Sequence, residues 1–360
     1  MFLLASPSQA SASVLYNITD IGTLGGPECR ARAINNFGQV TGDSQYSPGN
    51  YHAFIYSNAS MTDLGNLPGS GTNSYGRGIN DVGQVTGVAG SGSTTKSFIY
   101  SNGQMTSLGT LGGTFCSAEA INNSGVITGG SFYSGLNSSH VFSYATGVMT
   151  DFGSPTSGSA GGFTINNFGQ IVAQSNGLTY LRVGSGWQSI GTFGGSTTVG
   201  EINDTGTIVG ISTYPDSHTR PYIFVNGQMT DIGNLGGVSS GARGVNSTGQ
   251  VVGFSSLLTG VQAHAFLYQN GQMSDLNDVI PTGSGYVLND AWDINDFGQI
   301  ICQATNPAFG GFTHSVLLTP VPEPTSLFLL ALPGLWAARV ARIFRRKVMV
   351  SGTKARGTIQ

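Results

Sequence analysis

The chain of 360 residues is long enough for one large or two medium domains, and at 39 % hydrophobic residues it can bury a sizeable core. Charged residues make up only 9 % and glycine fills 56 positions, a balance that suits tight turns and disfavours helices. Up to Pro320 there are seven Lys or Arg against sixteen Asp or Glu, and such an acidic body excludes nucleic acid as a partner, because phosphate binding draws on clustered cations.

Met1 to Ala12 reads as the end of a secretory signal. An apolar stretch, Phe2 to Ala5, leads to Ala10-Ser11-Ala12, the small-x-small form of a signal-peptidase site. No Lys or Arg precedes that stretch, so the start of the signal is expected upstream.

Residues 14–320 are repetitive. Aligning on Ile or Val followed by Asn, with Gly three residues later, gives seven copies beginning at Ile34, Ile79, Ile121, Ile165, Ile202, Val245 and Ile294. The asparagines are spaced by 45, 42, 44, 37, 43 and 49 residues. A β-rich period in the low forties predicts one four-stranded propeller blade per repeat. In the first copy strand A ends at Ile34-Asn35, and Asn35-Asn36-Phe37-Gly38 supplies a hairpin turn. Strand B follows as Gln39–Gly42. Strand C, His52–Tyr56, places Phe54 and Tyr56 on one face and Ala53 and Ile55 on the other. Strand D is Met61–Leu64.

The last A-B-C unit, ending at His314–Leu318, has no strand D after it, whereas an unpaired D-like strand, Ile18–Leu24, opens the body. Pairing the two closes a ring and removes exposed edges. The expected fold is therefore all-β, a seven-bladed β-propeller closed by its N-terminal strand; a β-solenoid is the competing architecture. The combined pattern of Ile-Asn-x-x-Gly-Gln, His52-Ala53-Phe54, His264-Ala265-Phe266 and Asp-Leu/Ile-Gly resembles the HAF family of bacterial extracellular repeats. The resemblance covers roughly Ile18 to Pro320, departs most in the fourth copy (Thr179-Tyr180-Leu181), and implies export without supplying a catalytic residue.

The first position of strand C reads His52, Lys96, His140, Thr179, Arg220, His264 and His314. Equivalent positions on different blades cannot converge on a metal away from the axis, so these are expected to be structural hydrogen bonds. The recurring strand D acids Asp20, Asp63, Asp151, Asp231 and Asp275 read as turn acceptors. Cys29, Cys116 and Cys302 are expected to be unpaired, since a blade separates the first two and a disulfide needs Cα atoms within ~7 Å. No catalytic residue, metal or cofactor is assigned. The residues just before Ile-Asn differ between copies and face the channel of a propeller. Arg32, Arg77, Glu119, Glu201, Arg243, Trp292 and Asp293, with Phe163, are the candidate binding residues. The loop aromatics Tyr46, Tyr51, Phe132, Tyr133, Tyr214 and Tyr286 either stack on sugars or anchor their loops.

Beyond the repeats comes Pro322-Glu323-Pro324, an apolar run from Leu327 to Ala338 extending to Phe344, and a cluster of Arg339, Arg342, Arg345, Arg346 and Lys347. The clean run of twelve is short of the ~20 residues a spanning helix wants. If Arg339 and Arg342 snorkel, 327–344 reaches across as a transmembrane helix, with the basic stop cytoplasmic and the body outside. In order and spacing, 321–347 resembles the PEP-CTERM sorting signal of Gram-negative bacteria. That implies exosortase as a partner and delivery from the inner membrane to the cell surface or extracellular matrix. A basic tail, 348–360, continues past the point where such signals end. Together these readings describe an exported, non-catalytic surface or exopolysaccharide-matrix (biofilm) protein that binds or scaffolds polysaccharide or envelope proteins. A carbohydrate-active hydrolase or lyase, or an adhesin, is the alternative.

Overall fold

The structure is a computed structural model that describes residues 15–322, apart from 91, 93, 94, 136, 137 and 259–261. The expected signal (1–12), Glu323, Pro324, the membrane segment 327–344, its stop residues Arg342, Arg345, Arg346 and Lys347, and the tail lie outside the described residues. Pro322 lies within them and is exposed. Among the described residues no helix is long and apolar enough to cross a membrane.

In the body, Leu15–Pro320, the first five strands are β1 (Tyr16–Asp20), β2 (Cys29–Ile34), β3 (Val40–Ser47), β4 (Asn50–Ser57) and β5 (Ser60–Asp63). Strands β2 to β5 form one antiparallel sheet in chain order. Gly38 sits in the left-handed region (φ 73°) at the turn between β2 and β3, and Asn58 and Ala59 (φ 51° and 59°) make the turn between β4 and β5. Such double positive-φ turns match the twist of a hairpin. Strand β3 runs five residues past the expected Gly42, because its ladder with β4 continues through Ser44–His52 and Gln45–Tyr51.

The other repeats fold alike. Among the described residues there are five four-stranded sheets and one of eight strands. The latter consists of two antiparallel halves, Thr197–Asp231 and Gly236–Asp275, joined by a single parallel pair, Thr219–Ser239. β1 pairs antiparallel with the last strand, His314–Pro320, in the register Tyr16–Pro320 to Asp20–Val316. The closing strand is thus Tyr16–Asp20 and not Ile18–Leu24. It stops at Asp20 because that carboxylate turns back to accept from the Gly22 N–H at 2.8 Å.

The core lies between neighbouring sheets. Phe54 and Tyr56 pack with Ile301 and Leu317 of the last repeat, while Ala53 and Ile55 pack with Ile79, Val85 and Phe98 of the second. Alternation along β4 therefore feeds two cores at once. A phenylalanine at this place is wholly buried in four repeats, as Phe54, Phe98, Phe142 and Phe266. Truncating one to alanine costs about 3–5 kcal/mol.

The repeat asparagine ties the sheets into a closed circle. Asn35 Nδ2 donates to the Asn80 carbonyl at 2.9 Å, Asn80 to Asn122, Asn122 to Asn166, Asn166 to Asn203, Asn203 to Asn246, Asn246 to Asn295, and Asn295 back to the Asn35 carbonyl at 3.0 Å. Within its own turn Asn35 donates to Gln39 Oε1 and accepts from the Phe37 and Gln39 N–H groups. All four hydrogen bonds open to an amide are made, which explains why Asn and a following Gln recur. A solenoid has no use for the return bond from Asn295 to Asn35.

The recurring His and Asp prove to be partners. His52 Nδ1 lies 2.9 Å from Asp63, His140 3.0 Å from Asp151, His264 2.6 Å from Asp275, and His314 3.2 Å from Asp20 across the closing strand pair. The same carboxylates accept from a glycine N–H two residues on, at Gly65 and Gly153. The loop aromatics sit over these braces. Tyr46 stacks on His52 at 3.9 Å and Tyr133 on His140 at 5.2 Å, while Tyr286 packs on Phe309, itself stacked on His314. Tyr214 stacks on Phe193 and donates to Asp231. Tyr51 donates to Glu28 and Phe132 packs on Phe115, so all six behave as loop anchors. Cys29, Cys116 and Cys302 are free and buried, and burial pushes their thiols up.

Candidate functional site

The innermost strand of every repeat carries a β-bulge just before Ile-Asn. In β2 the register slips between Ala31 and Ala33, and equivalent slips occur at Gly76/Gly78, Ala118/Ala120, Gly162/Thr164, Val199/Ile202, Ala242/Gly244 and Ala291/Asp293. In a regular strand successive side chains point to opposite faces. The bulge adds one residue to the inner strand and re-aims its side chains. Two successive residues per repeat therefore reach the central channel.

The sequence-selected residues separate into two layers as a result. Arg32, Arg77, Glu119, Phe163, Arg243 and Trp292 stand two positions before the repeat asparagine's Ile or Val and line one mouth, a cavity of about 220 Å³. Glu201 and Asp293 stand one position nearer the asparagine. They line both this cavity and a second of about 150 Å³ that opens at the other mouth, among the asparagines.

At the first mouth Trp292 holds two guanidiniums, one from each neighbouring repeat. The Arg32 carbon lies 4.3 Å from its ring centre and that of Arg243 4.5 Å, within reach of a cation–π attraction. Arg243 is also paired with Asp290 (Nη2 to Oδ2, 3.0 Å). Arg32 and Arg77 are less well satisfied. Arg32 Nε lies 3.7 Å from Asp43 and Arg77 Nε 3.9 Å from Glu119, both beyond hydrogen-bond reach. Arg32 Nε, Arg77 Nε and Trp292 Nε1 are enclosed with no hydrogen-bond partner. Burial lowers the Arg32 pKa, Asp43 opposes that, and Arg77, Arg30 and Arg243 lower it further. Like charges thus crowd this rim around donors that lack acceptors.

The deeper layer is acidic. Glu201 Oε2 accepts from the Val245 N–H at 2.7 Å, and Asp293 accepts from Ile34 N–H at 2.9 Å and Ile294 N–H at 2.7 Å. Each carboxyl thereby grips the next repeat. They meet over Gly244, where a Cβ would stand 2.9 Å from Asp293 Cα and 3.2 Å from its Oδ1. Burial, then the charge of Asp293, raises Glu201 well above the carboxylate range, and burial pushes Asp293 up to about 6.

Three elements of this site were absent from the sequence reading. Asp43 is 2 % exposed beside Arg30 and Arg32, Asp290 holds Arg243, and a groove of about 350 Å³ runs between the third and fourth repeats past Phe115, Phe163 and Gln174. A signal for the first existed. The residue after the strand B glycine also differs between copies, as Asp43, Val88, Gly130, Ile211 and Phe254.

Similar solved structures are propellers or of unstated fold. The β-propeller domain of the trilobed protease from Pyrococcus furiosus has a TM-score of 0.54 at 10 % identity, over 87 % of this chain and 99 % of that one. YCF48 bound to D1 peptide has a TM-score of 0.51 at 10 % identity, over 88 % and 98 %. TolB from Acinetobacter baumannii has a TM-score of 0.45 at 12 % identity, over 66 % of this chain, which spans only 62 % of TolB. At such identities the likeness extends to the fold alone. No curated protein sequence matches the chain. Residues 320–347 match the PEP-CTERM protein-sorting motif, which is recognised by exosortase and implies export, membrane anchoring at the C-terminus and sorting to the surface.

Proposed function

We propose that the protein is a seven-bladed propeller of HAF-type repeats that binds a ligand at its arginine-lined mouth, without catalysis, at the bacterial surface or in the extracellular matrix. The observation that carries this reading is the gathering of Arg32, Arg77, Arg243 and Trp292 around one cavity, with the Arg32 and Arg77 side chains still 21 % and 35 % exposed. Guanidinium groups that line a cavity and stay partly exposed can give charge-assisted hydrogen bonds to an anionic ligand. The partners considered are polysaccharide and envelope proteins. Two of the acids are already engaged: Glu201 and Asp293 accept from backbone N–H groups of the next repeat. The test is retention of cell-surface glycans and envelope proteins on the immobilised full chain, against an inert control of similar size. Retention at the level of the control, or turnover of a retained glycan, rejects the proposal.

The address rests on Pro322-Glu323-Pro324, the apolar segment 327–344 and the basic stop Arg342, Arg345, Arg346 and Lys347. Glu323→Ala, or truncation before Val321, is expected to change where the body accumulates. Fractionation of cells into inner membrane, surface and medium measures it, and an unchanged distribution counts against cleavage at this signal.

A further inference from the structure

We infer that the mouth and the groove beside it bind one continuous ligand, an acidic oligosaccharide, with carboxylates at Arg32 and Arg77 and a sugar ring on Phe163. This rests on the binding reading above and names its ligand class.

The two cavities share Glu119 and Phe163, so they form one depression leading from the channel outward between the third and fourth repeats. At about 220 and 350 Å³ they together fall in the ~300–1,000 Å³ range of small-ligand sites. The groove is open because its walls there are bare backbone. A Cβ on Gly161 would meet only Gly130 backbone at 3.8 Å and the edge of Phe163 at 3.6 Å.

Chemistry differs along the depression. At the channel end, the partly exposed guanidiniums of Arg32 and Arg77 line the cavity and suit a planar oxyanion, which a guanidinium engages through a rigid fork. Arg243 is already spent on Asp290 and Trp292. In the middle, Glu119 Oε2 lies free of any hydrogen bond among the described residues, an acceptor for a hydroxyl. At the groove end, Phe163 is 40 % exposed and has no aromatic or cationic neighbour on its ring among the described residues. The Trp292 ring, by contrast, is occupied by two guanidiniums. Gln174 lines the same groove and donates through Nε2 to the Thr197 carbonyl, leaving its oxygen as an acceptor. Carboxylate, hydroxyl donors and an apolar ring face in succession describe a uronic-acid chain. A polyglutamate chain offers the carboxylates but no pyranose face for the Phe163 ring.

The test is calorimetric titration of the full chain in detergent with short oligogalacturonides and with the same oligosaccharides after carboxyl reduction. The acidic series is expected to bind, and carboxyl reduction, added salt, Arg77→Gln or Phe163→Ala each to weaken binding at least about tenfold. Both variants should unfold thermally like the parent; if Phe163→Ala does not, Phe163→Leu replaces it, keeping an apolar body without a stacking ring. Equal affinity for the reduced series overturns the ligand class while the binding reading stands. Binding of polyglutamate with no effect of Phe163→Ala overturns the saccharide. If neither saccharide binds and the surface retention assay is also blank, both proposals fall together.

Discussion

Replacing Asn295 by leucine is expected to lower the unfolding free energy by about 3 kcal/mol or more. The amide donates to the Asn35 carbonyl and to Gln299 Oε1 and accepts from the Phe297 and Gln299 N–H groups. Leucine fills the volume and makes none of these bonds. Asn295 and Asn35 are each about 4 % exposed, so water replaces them poorly, and an unsatisfied buried polar group costs ~1–3 kcal/mol. The bond also joins the last repeat to the first. Its loss should concentrate on the closing strand, which pairs with the neighbouring His314–Pro320. Denaturant unfolding measures the total, and hydrogen exchange at Tyr16–Asp20 locates it. A change below about 1 kcal/mol, or protection unchanged in β1, would mean that strand pairing alone closes the ring.

The second large effect is a dependence on pH opposite to that of most proteins. Glu201 and Asp293 hold protons more tightly when folded than when unfolded, because burial disfavours their charge. A folded pKa above the unfolded one stabilises below the unfolded value and is lost as pH rises through the folded value. For Asp293 that window runs from its ordinary 3.8 to about 6, and for Glu201 it extends upward from 4.5. Asp43 and Asp290 are also raised, by burial first, and act in the same direction. At ~1.36 kcal/mol per unit, stability should fall by on the order of 2–3 kcal/mol between about pH 4 and 7. Glu201→Gln should lessen the slope, since the amide still accepts from Val245 N–H with no proton to lose, while Asp293, Asp43 and Asp290 keep their share. Unfolding temperatures measured across that range decide it. A flat wild-type profile, or a variant with the same slope as the parent, sinks the account that burial holds these carboxyls protonated.

Much of the fold was readable from residue order. The asparagine period located every inner strand, and the alternation in His52–Tyr56 named the two cores that β4 serves. The orphan strand before the first repeat pointed to closure, with its ends misplaced by two to four residues because side-chain capping by Asp20 ends it early. The loop aromatics were ambiguous, since a tyrosine near a variable loop reads alike whether it meets a sugar or a histidine of its own repeat.

The candidate site was half legible. Disagreement among copies picked out Arg32, Arg77, Glu119, Glu201, Arg243, Trp292 and Asp293, yet treated them as one layer. The bulge that separates mouth from floor leaves no mark in composition, because it depends on how each inner strand registers against its partner.

What the sequence determined by itself is the repeating unit and its destination, since turns, strand alternation and the sorting motif are local patterns. The tertiary structure alone decided which differences converge. Trp292 meets Arg32 and Arg243 from the repeats on either side, and Glu201 reaches Asp293 across Gly244. The Arg243 contact joins consecutive repeats 49 positions apart, but the Arg32 contact spans 260 positions and exists only because the last repeat lies beside the first.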